Sequence, residues 1–147
     1  MIKYKVLDNT LENATMLEHL RLSSYGFTPT EEDYDESYIK DICTKRILPF
    51  IIIYKDKIVG GSYVSNTLNS LYIDYLFILP EYQEKGLRLG RQLLKFILKN
   101  KQLLEEYFDT NFTQSKLCAT NEKTKKLYTK MGYKEIGEEM YCKKLGN

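Results

Sequence analysis

One histidine, three cysteines, three prolines and no tryptophan leave this 147-residue sequence short of several common catalytic and structural accessories. With His19 alone, neither a Ser-His-Asp triad nor a histidine-based metal centre has the residues it needs, and no metal site is expected. Cys43, Cys118 and Cys142 show no paired spacing. Scattered cysteines of odd number fit a reducing compartment, so a cytoplasmic location is expected. The longest apolar run, residues 47–54, is interrupted by Pro49 and falls far short of the roughly 20 residues that cross a bilayer. The opening residues alternate apolar and polar and lack the apolar core of a signal peptide. A net charge of +2 is too small for a dedicated nucleic-acid or membrane binder, so neither partner is expected.

What the sequence does have is a globular composition, 43% hydrophobic and 29% charged, in a chain long enough to bury a core without staples. No repeat, linker or low-complexity stretch divides it, so one domain over residues 1–147 is expected. Periodicity predicts a strand over residues 2–8, then a helix to about residue 24 in which Leu11, Ala14, Leu17, Leu20 and Leu22 recur at helical spacing. A second helix is predicted over about 32–46, with Tyr34, Tyr38, Ile42 and Cys43 on one face. Residues 50–54 and 57–65 read as a hairpin about Lys55-Asp56, and 69–79 as a strand closed by Pro80. A helix is predicted from 90 to about 106, striped by Leu89, Leu93, Leu94, Ile97, Leu98 and Leu104. A strand over 113–119, a helix over 121–131 stopped by Gly132, and short strands over 133–136 and 139–145 complete the chain. That order predicts an α/β or α+β domain with a mixed sheet.

Charge is unevenly placed. Glu31, Glu32, Asp33, Asp35 and Glu36 form an acidic cluster. Lys85, Arg88, Arg91, Lys95, Lys99 and Lys101 form a basic stretch, and Lys123, Lys125, Lys126 and Lys130 a second. Both basic stretches begin near predicted helix N-termini. Between Pro80 and Leu94 a strand gives way, through Gly86 and Gly90, to an amphipathic helix. Backbone N–H groups at such a turn and the positive end of the helix suit a phosphate or pyrophosphate, with Lys85, Arg88 and Arg91 adding charge. The same glycines equally suit a tight turn. No P-loop lysine follows, which argues against ATP. Asn121 and Tyr128 lie seven residues apart, two turns along one helix face. Asn121 can cap the helix or hold a ligand amide, and Tyr128 can pack in the core or give a proton.

Together these segments resemble the GNAT superfamily of acetyl-CoA-dependent N-acetyltransferases. Leu76-Phe-Ile-Leu-Pro-Glu-Tyr-Gln-Glu-Lys-Gly86 with Gly90-Arg-Gln-Leu-Leu94 resembles its acetyl-CoA loop. Asn121…Leu127-Tyr128…Met131-Gly132-Tyr133 resembles its second motif. The resemblance implies a mostly antiparallel sheet, splayed at the cofactor site and flanked by about four helices. The family's two glycines stand one residue apart, whereas Leu87-Arg88-Leu89 separates Gly86 from Gly90. Either Arg88 takes the second glycine's place or the loop is two residues longer.

The resemblance further implies transfer of an acetyl group from acetyl-CoA to a primary amine, by direct attack and without a metal. Strand ends near Phe77–Ile78 and 117–119 would part to admit the pantetheine arm, held by backbone at Phe77 and Ile78 and by Asn121. Residues Gln83 to Gly90, including Lys85, Gly86, Leu87 and Arg88, with Arg91, would hold the pyrophosphate, and Lys123, Lys125 or Lys126 the 3′-phosphate. Tyr128 is the expected acid for the leaving thiolate. A carboxylate is the default base, and Asp74, on the strand leading to the loop, is the candidate; the alternative for Asp74 is a turn-holding role. His19 is expected at the surface of the first helix and Cys118 as a small buried residue. Tyr25, Phe27, Tyr34 and Tyr38 beside the acidic cluster favour a cationic acceptor, a small molecule or a peptide, handled by a monomer or homodimer. The competing reading is a non-catalytic acyl-CoA sensor or scaffold of the same fold.

Overall fold

Seven strands alternate side chains across a single sheet, and the two faces collect different helices. The computed structural model describes residues 1–83 and 88–146. The elements are β1 (Ile2–Val6), α1 (Leu11–Ser23), α2 (Glu36–Cys43), β2 (Ile47–Tyr54), β3 (Lys57–Thr67), β4 (Ser70–Ile78), α3 (Pro80–Gln83), α4 (Leu89–Lys99), α5 (Lys101–Phe108), β5 (Gln114–Cys118), α6 (Glu122–Lys130), β6 (Lys134–Gly137) and β7 (Met140–Lys144). The sheet order is β1-β2-β3-β4-β5-β7-β6, antiparallel throughout except for the parallel pair β4–β5. The fold is therefore the expected mixed, mostly antiparallel sheet with helices on both faces.

In β2, Leu48, Phe50 and Ile52 face a core shared with Leu93, Leu94 and Ile97 of α4 and Tyr128 of α6. Ile47 and Ile51 face the opposite core, with Ala14 and Leu17 of α1 and Ile39 and Ile42 of α2. This period-two alternation is what a sheet buried on both sides requires.

Several boundaries differ from the periodicity reading, each for a local reason. The helix expected over 32–46 starts at Glu36, because Asp35 caps it by accepting from Ser37 N at 2.9 Å. It ends at Cys43, and Lys45 takes a positive φ of 65°. Its buried face carries Ile39, whereas Cys43 is exposed. The long helix expected from 90 to 106 is two helices. Asn100 folds its amide back onto Phe96 O at 2.7 Å and leaves helical geometry there. Pro80 does close β4, but it also opens the single turn α3, where a missing N–H costs nothing.

Gly60 pairs with Ile78 across β3–β4, and a Cβ there would run into the Phe77 carbonyl oxygen. That oxygen is backbone and cannot swing away. Gly60→Ala is expected to destabilise the fold by about 1–3 kcal/mol, lowering Tm by several degrees in a melting experiment. Gly137→Ala, where a Cβ meets nothing within 4 Å, serves as the control and leaves Tm unchanged.

Candidate active site

Pairing between β4 and β5 is short: Leu71↔Ser115, Tyr72↔Lys116 and Ile73↔Leu117, and then it stops. β4 continues to Ile78, so residues 74–78 run on without a β5 partner. A bulge sits just past the last pair. Ser62 opposes Leu76 and Tyr63 opposes Asp74, leaving Tyr75 as the extra residue at φ +59°. A bulky residue there is strained by about 1–3 kcal/mol. The bulge bends the strand and turns two consecutive side chains, Asp74 and Tyr75, toward α1 and α2.

Tyr128 lies across the sheet from them. It is 5% exposed, in the core that α4 and α6 cover, with its ring 6.1 Å from that of Tyr133. Burial, with a smaller contribution from the Cys118 thiol at the end of β5, pushes its phenol up to about 12. The group therefore holds its proton at neutral pH. Asp74 is half-buried, and burial raises its carboxyl above the ordinary carboxylate range. A hydrogen bond from Tyr38 and the charge of Arg21 oppose the shift without reversing it. The sheet thus carries a protonated phenol on one face and a carboxylate of raised basicity on the other.

At the head of α4, Arg88 holds the left-handed conformation (φ 51°, ψ 37°). Gly90 lies inside the first helical turn, and a Cβ there would only touch Ile78 Cδ1 at 3.5 Å. Arg88 thus takes a backbone conformation that favours glycine. Lys85, Gly86 and Leu87 lie outside the described residues. Arg91, in the same turn, buries its Nε with no hydrogen-bond partner among the described residues.

The sequence profile of the acetyltransferase (GNAT) domain matches residues 46–135. The chain belongs to the GNAT acetyltransferase family. Solved structures agree on the fold. The Escherichia coli ribosomal-protein-S18-alanine N-acetyltransferase is 20% identical, with a TM-score of 0.67 over 100% of this chain and 96% of that one. A GNAT-family acetyltransferase from Streptococcus pneumoniae is 16% identical, with a TM-score of 0.67 over 99% of this chain and 100% of that one. The PaiA N-acetyltransferase from Thermoplasma acidophilum, solved with coenzyme A, is 18% identical, with a TM-score of 0.61 over 98% and 99%. No curated protein matches the sequence.

Other candidate residues of this GNAT acetyltransferase have local tasks of their own. Asn121 caps α6, its Oδ1 accepting from Thr124 N at 2.9 Å. Gln83 donates its amide to Ile78 O at 2.7 Å and to Ser24 O at 3.2 Å, tying α3 to the end of α1. Phe77 is buried and packs with Tyr63 in the α1–α2 core, while Ile78 packs against the other core. Lys125 leans on Glu122 at 3.8 Å. Cys118 is exposed, not buried as expected, because β5 ends there; its Sγ lies 3.3 Å from Tyr72 Oη. His19 is half-buried and holds Tyr34 Oη at 2.8 Å. Among the described residues no group of acidic, Cys and His side chains is placed to hold a metal ion, and no helix is long and apolar enough to cross a membrane.

The sequence reading missed a buried polar cluster under α1. Glu18, fully buried, takes two bonds from Arg21 at 2.6 and 2.8 Å, one from Tyr63 Oη at 3.0 Å and one from Asp35 N at 2.8 Å. Burial works against the Arg21 charge, but the Glu18 carboxylate outweighs it and keeps the guanidinium protonated. Arg21 stacks over the rings of Tyr38 (5.1 Å) and Tyr75 (4.7 Å). The spacing of Ala14, Leu17, Glu18 and Arg21 marks the buried face of α1, while Leu11 is 65% exposed. The i, i+3 Glu–Arg pair on that stripe was the available signal.

Beside α4, Arg91, Lys95, Lys99, Lys130 and Lys143 line an open groove of about 700 Å³ that no acidic side chain among the described residues joins. The acidic cluster lies on the other side of the sheet, beside α2, so the molecule is electrically two-sided.

Proposed function

We propose that this acetyltransferase moves an acetyl group from acetyl-CoA to a primary amine by direct attack. The observation that carries this reading is the end of the β4–β5 pairing at Ile73 and Leu117, which leaves residues 74–78 of β4 without a β5 partner, with Tyr128 on one face of the sheet and Asp74 on the other. When bound, acetyl-CoA supplies the activated acyl group. The chain's task is to place the acceptor and move two protons. Asp74 takes a proton from the attacking amine as the C–N bond forms. Tyr128 keeps its proton through the neutral range and donates it to the departing sulfur as the C–S bond breaks. The burial that lifts the phenol would lift a thiol placed beside it in the same direction. A backbone N–H around Ile78 would meet the developing negative oxygen.

The donor's phosphates would lie against the first turn of α4, where Arg88 and Arg91, whose Nε has no partner among the described residues, stand at the positive end of the helix dipole. Phe77, Ile78 and Asn121 are the proposed contacts for the pantetheine arm, and Gln83, Lys85, Gly86, Leu87 and Gly90 are proposed as further contacts for the phosphates. For the acceptor, exposed Tyr25 and Phe27 with the acidic residues 31–36 favour a cationic small molecule or a basic peptide. A cytoplasmic location accompanies this reading.

Melting the protein against acetyl-CoA, 3′-dephospho-CoA and ATP tests the assignment. Acetyl-CoA at 100 times its Kd is expected to add about 2.7 kcal/mol, with less from 3′-dephospho-CoA and nothing from ATP. Release of CoA with a panel of amines then separates catalysis from mere acyl-CoA binding. An ATP shift equal to that of acetyl-CoA would overturn the reading.

A further inference from the structure

The proposed reaction gives Asp74 a task, but a carboxylate on a bent strand segment without a β5 partner needs something to hold it. Tyr38, on α2, places its hydroxyl 3.2 Å from Asp74 Oδ2 and 3.1 Å from Tyr75 Oη. We propose that Tyr38 is a positioning residue for acetyl transfer, fixing the Asp74 carboxylate from α2 where β4 runs on without a β5 partner. The proposal rests on the reading of Asp74 as the base.

The chemistry of the three groups fixes the direction of the bonds. Tyr38 has one hydroxyl proton, and an ionised carboxylate can only accept, so that proton goes to Asp74. Tyr75 Oη, 3.1 Å away, is the second acceptor within reach of that proton. Behind this pair, the Tyr38 and Tyr75 rings meet edge to face at 5.6 Å and share the Arg21 guanidinium, which Glu18 anchors. The left-handed backbone at Tyr75 is unfavourable for tyrosine on its own, and these contacts are what hold it. A chain of fixed groups therefore runs from buried Glu18 to Asp74. The groups facing Asp74 are Tyr38 from α2, Arg21 from α1 and its neighbours Tyr72 and Tyr75 on β4. Burial raises the Asp74 carboxyl, and the Tyr38 bond pulls it back toward the ordinary range.

Tyr38→Phe tests this with two independent readouts. The first is the titration midpoint of the Asp74 carboxyl carbon by NMR, assigned with Asp74→Asn. The second is the pH profile of kcat/KM. Removing the hydroxyl removes the bond that favours the carboxylate, so the midpoint moves to higher pH. The acid limb moves with it, and kcat/KM on that limb falls about tenfold, while KM for acetyl-CoA stays unchanged. An unmoved midpoint overturns the role of Tyr38. A midpoint that moves while the acid limb stays overturns the base assignment beneath it, and the positioning role with it. Should Tyr38→Phe fail to fold, Tyr75→Phe carries the test: it removes the second acceptor for the Tyr38 proton and leaves that proton to Asp74, so the midpoint is expected to move to lower pH, and an unmoved midpoint overturns the role of Tyr38.

Discussion

Tyr128→Phe is expected to lower turnover by roughly 10²–10⁴, the usual yield of a positioned acid. The lower end is favoured, because a thiolate needs a proton less than an alkoxide does. The change removes one hydroxyl from a side chain that is 5% exposed and leaves the ring packed against Tyr133 and the α4 core. Folding and acetyl-CoA binding should therefore persist, as read by melting with and without the ligand. The loss should appear equally in kcat and kcat/KM, since the interaction belongs to the transition state. Full kcat across the pH range, with a proven acceptor, would return Tyr128 to the core and leave the leaving sulfur to solvent.

Asp74→Asn is expected to cost a similar factor in kcat while stabilising the protein at neutral pH. Activity falls because the amide cannot take the amine's proton, although it can still accept a bond from Tyr38. The stability sign follows from linkage. The folded-state carboxyl is raised above its ordinary value of 3.8, so the folded protein favours the protonated form. That preference stabilises the fold at low pH and is lost as pH rises through the folded value, where the buried charge becomes a burden. The amide has no charge to bury. Its gain in Tm is present at pH 7 and fades as pH falls into the carboxylate range. A variant that loses activity and Tm together at pH 7 would mark Asp74 as a structural carboxylate.

Most of the framework was legible along the chain. The hairpin about Lys55-Asp56, the capped start of α6 at Asn121 and its end at Gly132 depend on neighbours within a few residues, and local chemistry states them openly. Helix breaks were less legible. Nothing in a striped apolar pattern announces that Asn100 will turn its amide onto Phe96 and divide the helix. The two basic stretches were visible as charge, but their assembly was not. Arg91, Lys95 and Lys99 meet Lys143 of β7 only because α4 packs across the sheet.

The candidate site divides the same way. The chain's own order of residues carries the family resemblance, the residue types at Tyr128, Asp74 and Arg91, and the strand–turn–helix proposed to hold the donor's phosphates, because each is written in adjacent residues. Tertiary structure alone decided that Asp74 and Tyr75 share a face, since a one-residue bulge shifts every later side chain in the strand. It also decided that Tyr38, 36 residues away, holds the carboxylate, and that Glu18 and Arg21 are buried. Those facts come from packing between elements distant in sequence. A charged pair on a helix looks the same in the chain whether it faces water or a sheet, and only the neighbouring surfaces settle which.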